Sequence, residues 1–174
     1  ALLVEDGMRV GLGTGSTVAF LLPAIAARGV SITCVATSVA TEEAARALGL
    51  EVADAADIDH LDLAIDGADQ IAPDWWIVKG GGAALFREKV LAAASQRLVI
   101  VIDATKRVPH LGATRPIPVE VLPFAVGSCL RLLGQLYEVG AFVERKEITT
   151  VTKSADIKAR LLATLGTAID VESK

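Results

Sequence analysis

The sequence predicts an α/β fold, a mostly parallel open sheet followed by a smaller α+β region. First, apolar segments bounded by glycine or acidic turns alternate with helical patterns: strand 8–12, helix 15–28, strand 30–35, helix 39–48, strand 61–66, helix 82–95 and strand 97–102. Second, the run Leu98-Val-Ile-Val-Ile102 lacks polar alternation, as expected of a central strand covered on both faces. Third, the rhythm changes after Pro116-Ile-Pro118, where 124–139 reads as a helix, 141–152 as one or two strands with charged faces, and 154–165 as another helix. The expected division is a Rossmann-like unit over 1–115 and a small subdomain over 116–174. At 174 residues the chain is long enough for one full core with a small appendage, and it shows no internal repeat or low-complexity tract.

Composition narrows the function classes. Hydrophobic residues make up 52% and the net charge is only -4, so neither a disordered chain nor a nucleic-acid coat is indicated, and no basic stripe points to nucleic acid as a partner. Cys34 and Cys129 stand far apart without metal-ligand spacing, which reads as free buried thiols in a reducing compartment, with no disulfide. No apolar run reaches membrane-spanning length and the amino terminus has no signal-peptide pattern, so the expected location is cytoplasmic, with no membrane partner. His60 and His110 read as surface histidines, and Trp75 and Trp76 as cover for a hydrophobic edge or a subunit contact.

The most informative stretch is Lys79-Gly-Gly-Gly-Ala-Ala-Leu-Phe-Arg-Glu88-Lys89, which sets an ammonium, a glycine turn and a carboxylate along the entrance to one helix. Gly80, Gly81 and Gly82 allow close backbone approach to a small ligand, and a helix starting near Gly82 would point free N–H groups at an anion. Glu88 has Ala84, Leu85, Leu91 and Ala92 three and four residues away, so its carboxyl is expected to be partly desolvated, with a pKa raised toward the range of a general base.

Three further motifs fall at the carboxyl ends of strands. The turn Gly11-Leu-Gly-Thr-Gly-Ser-Thr17 leads from strand to helix, a geometry that cradles phosphate on backbone N–H groups with Ser and Thr hydroxyls assisting; alone, it also fits a tight turn capped by Ser16. It meets neither the dinucleotide fingerprint, because Ser16 replaces the third glycine and Ala36-Thr37-Ser38 stands where an acid would end the second strand, nor the P-loop, which needs a lysine. Asp66-Gly-Ala-Asp69 places two carboxylates at the sheet edge where open α/β folds bind ligands. Asp103-Ala-Thr-Lys106 adds a cation there, and Lys79 and Lys106 are the cations expected to neutralise a phosphate.

In this order the motifs closely resemble ribose-5-phosphate isomerase of type A: GLGTGSTV at 11–18, TSVAT at 37–41, IDGADQI at 65–71, KGGGAALFREK at 79–89, DATKRV at 103–108 and PIPVEVLPFA at 116–125. The resemblance implies interconversion of ribose 5-phosphate and ribulose 5-phosphate in the pentose phosphate pathway, without metal or organic cofactor, by a homodimer with a lid-like second subdomain. It implies that Glu88 transfers the proton, that Asp66, Asp69 and Lys79 complete the catalytic group, and that Thr14, Gly15, Ser16, Thr17, Gly80, Gly81 and Lys106 bind substrate or its phosphate. The family's amino-terminal lysine segment, its Thr-Asp-Asn-Gly-Asn turn and its closing Ile-Pro-Gly-Val-Val segment have no clear match, so the subdomain is expected to be shortened. A second class stays open: a non-catalytic sugar-phosphate sensor of the same superfamily, which needs the phosphate loop but no desolvated base.

Overall fold

The computed structural model describes residues 1–136, 140–144 and 147–151. The helix expected at 154–165 lies outside them. The strands are β1 (Arg9–Leu12), β2 (Thr33–Ala36), β3 (Glu51–Val52), β4 (Leu63–Asp66), β5 (Gln70–Ile71), β6 (Ile77–Val78), β7 (Leu98–Ile100), β8 (Ile117–Glu120), β9 (Gly140–Glu144) and β10 (Glu147–Val151). The helices are α1 (Ser16–Ala26), α2 (Val39–Ala47), α3 (Leu85–Ala94) and α4 (Val126–Leu136). They form two compact units: Ala1–Asp69 with Lys79–Lys106, and Gln70–Val78 with the described residues from Arg107 onward.

The first unit is built on a five-stranded sheet of order β3-β2-β1-β4-β7, every pairing parallel. β1 is central because it is apolar on both faces: Val10, Gly11 and Leu12 are buried, and Val10 and Leu12 meet Val18, Leu22 and Ile25 of α1 in the main core with Cys34, Leu63 and Ile65. Each such aliphatic side chain contributes about 1.5–3 kcal/mol on burial. The stripe Val18, Leu22, Ile25 follows helical spacing and fixes which side of α1 packs on the sheet. α2 begins where the Ser38 hydroxyl accepts from the Thr41 N–H, an N-cap.

Two expectations change here. The run from Leu98 does not form a central strand: β7 is the edge among the described residues, with Leu98 39% and Val101 40% exposed. An unbroken apolar run reports that both faces are apolar, not that both are covered. The helix expected from Gly82 starts at Leu85, after a turn in which Ala83 takes φ +57°, a left-handed conformation that shuts those residues out of the helix.

The second unit holds the antiparallel pair β5-β6 and an antiparallel sheet of order β8-β10-β9. Pro118 is tolerated because β8 is an outer strand of that sheet. α4 packs Cys129, Leu130 and Leu133 against Val119 and Val121. The tryptophans do not cover an edge together: Trp75 is 80% exposed at φ +67°, and Trp76 is half-buried.

Burial, with the Glu51 charge adding to it, pushes the Cys34 thiol up to about 11, so it stays protonated at neutral pH. Iodoacetamide at pH near 8 should leave Cys34 unmodified in the folded protein and alkylate it only after denaturation, as read by peptide mass spectrometry.

Candidate active site

The chain leaves the carboxyl end of β1 toward β2 on one side, while β4 lies on the other, so strand order reverses beside β1. The carboxyl ends of β1 and β4 therefore flank a switch point, where open α/β sheets form their ligand crevice. Gly13 follows β1 and donates its N–H to the Ile65 carbonyl at 2.9 Å, tying the first glycine loop to β4. A Cβ on Gly13 would fall 2.0 Å from Asp66 Oδ1, so only glycine leaves room for that carboxylate. Gly15, at φ +115°, is the N-cap of α1, and Ser16 is its first residue; no side chain caps this helix. Ser16 is thus not the cap, and its exposed hydroxyl stands beside the unsatisfied N–H groups of the first turn.

Asp66, Lys79 and Glu88 form one buried cluster. Lys79 Nζ donates to the Gly67 carbonyl at 2.6 Å and pairs with Asp66 Oδ2 at 2.9 Å and Glu88 Oε2 at 3.2 Å. The carboxyls of Asp66 and Glu88 are only 7% and 6% exposed. Asp66 Oδ1 is further held by the Gly67 N–H at 2.7 Å, whereas Glu88 Oε2 is buried and accepts no directed hydrogen bond among the described residues. Burial pushes the Glu88 carboxyl above its ordinary range, and the nearby charges of Asp66 and Asp69 push the same way, against the pull of Lys79. The sequence-derived expectation of a partly desolvated acid holds.

Asp69 belongs to the same turn, and its Oδ2 accepts from the Gly81 N–H at 2.8 Å. A Cβ on Gly81 would sit 2.7 Å from Asp69 Oδ1, which gives that glycine a steric reason. Its N–H is spent on Asp69, so Gly81 acts on Asp69 before it can act on a ligand. A Cβ on Gly82 would lie 4.0 Å from Thr14 Cγ2, so the two glycine loops face each other. Lys106 stands apart from this cluster: it closes the single turn Ala104–Lys106, half-buried, near Asp103, whose carboxylate Thr105 holds below its usual range.

Reading the loops alone missed the support beneath the first one. Thr37, 2% exposed at the end of β2, touches Thr14 Oγ1 at 2.7 Å and the Leu12 carbonyl at 3.1 Å through its hydroxyl. Thr41, on α2, donates to the Gly13 carbonyl at 3.1 Å and receives the Ser38 hydroxyl at 3.0 Å. The available signal was the hydroxyl-bearing Thr37-Ser38 pair where a dinucleotide site would carry an acid.

Residues 33–158 match the family model for ribose 5-phosphate isomerase A (phosphoriboisomerase A). The chain belongs to this family. Ribose-5-phosphate isomerase A of Cereibacter sphaeroides is 48% identical over 151 residues, 84% of this chain and 57% of that protein, so the chain spans somewhat over half the length of this relative. Among solved structures, ribose 5-phosphate isomerase A from Methanocaldococcus jannaschii superposes with a TM-score of 0.81 at 27% identity, over 91% of this chain and 78% of that one. A D-ribose-5-phosphate isomerase solved with phospho-erythronic acid gives a TM-score of 0.81 at 28% identity, over 95% of this chain and 82% of that one. The α/β fold with its parallel sheet is thus the fold of the ribose 5-phosphate isomerase A family.

Gly13→Ala should displace the Asp66 carboxylate, destabilising the protein by about 1–3 kcal/mol as other overpacking changes do. Urea unfolding measures this, and Gly134→Ala, where a Cβ meets nothing within 4 Å, is the control.

Proposed function

We propose that this chain carries the site of an aldose–ketose isomerase that interconverts D-ribose 5-phosphate and D-ribulose 5-phosphate, with Glu88 as the base. The observation that carries the reading is a carboxyl only 6% exposed, its Oε2 3.2 Å from an ammonium that a second buried carboxylate also holds. A base in this setting can take the C2 proton of the open-chain aldose and return it to C1 of the enediolate, since one carboxylate can reach two adjacent carbons. Lys79 would stabilise the negative charge that develops on the oxygens. Asp66 and Asp69 would orient hydroxyls and assist ring opening. Thr14, Gly15, Ser16 and Thr17, with the first-turn N–H groups of α1, would hold the sugar phosphate, aided by Gly80 and Lys106. The sugar-phosphate class is further supported by the phospho-erythronic acid in the similar solved isomerase. The proposed proton transfer needs no metal or organic cofactor, and a cytoplasmic homodimer serving the pentose phosphate pathway belongs to the same reading.

Glu88→Gln should lower kcat by about 10²–10⁴-fold while substrate binding changes little, measured by a coupled assay run with chelator present. Turnover close to wild type would remove Glu88 from the mechanism. Binding of ribose 5-phosphate by the unmutated chain without any turnover would favour a sensor instead.

The same carboxyl sets two pH dependences. Because the ionised form is the base, kcat/KM should fall on the acid side with an apparent pKa above the ordinary glutamate value of about 4.3. A carboxyl whose folded value is raised stabilises the fold fully below its unfolded pKa and loses that contribution as pH rises through the folded one. At neutral pH, Glu88→Gln should therefore leave Tm unchanged or higher, which calorimetry can check.

A further inference from the structure

We infer that Thr37 is a positioning residue which fixes the Thr14 hydroxyl as a hydrogen-bond acceptor, so that Thr14 recognises a hydroxyl of the sugar chain while the neighbouring N–H groups take the phosphate. This divides the loop proposed above into two subsites, and it rests on the sugar-phosphate part of that proposal.

The inference follows from counting protons. Thr37 is 2% exposed, with its hydroxyl between two oxygens, Leu12 carbonyl at 3.1 Å and Thr14 Oγ1 at 2.7 Å. A hydroxyl has one proton to donate, and a carbonyl can only accept. If Thr37 donated to Thr14, its own lone pairs would face those of the Leu12 carbonyl in a buried site, an unfavourable contact. With the proton on Leu12, Thr37 can only accept from Thr14. The Thr14 proton is then committed inward, and what Thr14 has left for a ligand is lone pairs.

Lone pairs repel a phosphate oxygen and attract a donor. The donors of a sugar phosphate are its carbon-chain hydroxyls. Placement agrees independently: a Cβ on Gly82 would lie 4.0 Å from Thr14 Cγ2, so Thr14 stands on the side of its loop that faces the turn leading from Lys79 toward Glu88. The anion is left to the exposed Gly15 and Ser16 and to Thr17, where the first turn of α1 has free N–H groups.

Titration calorimetry with two probes, inorganic phosphate and ribitol 5-phosphate, tests this; the alditol cannot be isomerised, so binding is read without turnover. Thr14→Val should weaken ribitol 5-phosphate about three- to tenfold, the scale of one neutral hydrogen bond, and leave inorganic phosphate within twofold. Thr37→Val frees the Thr14 proton and should weaken ribitol 5-phosphate while phosphate binds equally or more tightly; Thr37→Ser, which keeps the hydroxyl, should restore both values. Equal weakening of both probes in Thr14→Val would make Thr14 a phosphate ligand and overturn the inference, as would no change in either. Absence of ribose 5-phosphate turnover with the probe pattern intact would sink the isomerase reading alone.

Discussion

One ammonium between two buried carboxylates is the constraint around which the first unit is arranged. Asp66 and Glu88 are two buried carboxylates gathered around Lys79, whose Nζ reaches both within 3.2 Å and offsets the cost of placing like charges together. One cation for two anions still leaves the cluster a charge short. The deficit is not shared equally, because Asp66 is doubly held, by Lys79 and by the Gly67 N–H, whereas Glu88 Oε2 has only the longer ion pair. The proton affinity accordingly collects on Glu88. A structural salt bridge would gain from saturating both acids; leaving one short suits the proton transfer proposed for Glu88.

The sheet supplies the positions. Asp66 ends β4, between β1 and β7, and its backbone carbonyl accepts from the Val101 N–H at 2.8 Å. Its side chain lies over Gly13, where even one methyl group would collide with it. Glu88 comes from the opposite direction, on α3, with Leu91 buried one turn on to hold that face inward. The two carboxylates thus rest on two rigid elements, while the glycines between Lys79 and Ala83 absorb the awkward backbone, including φ +103° at Gly80.

Much of this was legible in the sequence, for identifiable reasons. The βα alternation, the burial of Glu88 and the gathering of Asp66 and Asp69 with the Lys79 turn follow from helical period and from the rule that ligands sit at strand carboxyl ends. What failed depends on neighbours rather than on local pattern. Position within a sheet is not encoded in a strand, so β7 read as central. β3 and β5 are two residues each, too short to carry a period. Ser16 resembles a cap in sequence, but the helix begins one residue earlier than that role allows. Thr37 joins Thr14 only because β2 pairs with β1 in a register that sets Ala36 beside Leu12, a contact that exists only once the sheet has formed.

The path of the chain explains why this cluster can be firm. The first unit is interrupted: the chain leaves it at Asp69 and re-enters at Lys79. A break at that point could loosen the very turns that hold the acids. Two hydrogen bonds span it, Lys79 Nζ to the Gly67 carbonyl at 2.6 Å and the Gly81 N–H to Asp69 Oδ2 at 2.8 Å. Both use groups of the proposed catalytic set, one to a backbone carbonyl and one from a backbone amide, so the same residues that would act on substrate also close the gap. Closing a short loop costs little entropy compared with what two charge-assisted hydrogen bonds return, the one from Lys79 in a partly buried place. The aspartate turn and the glycine-lysine turn therefore work as one piece of structure, and a substitution in either should be felt by the carboxyl groups of both.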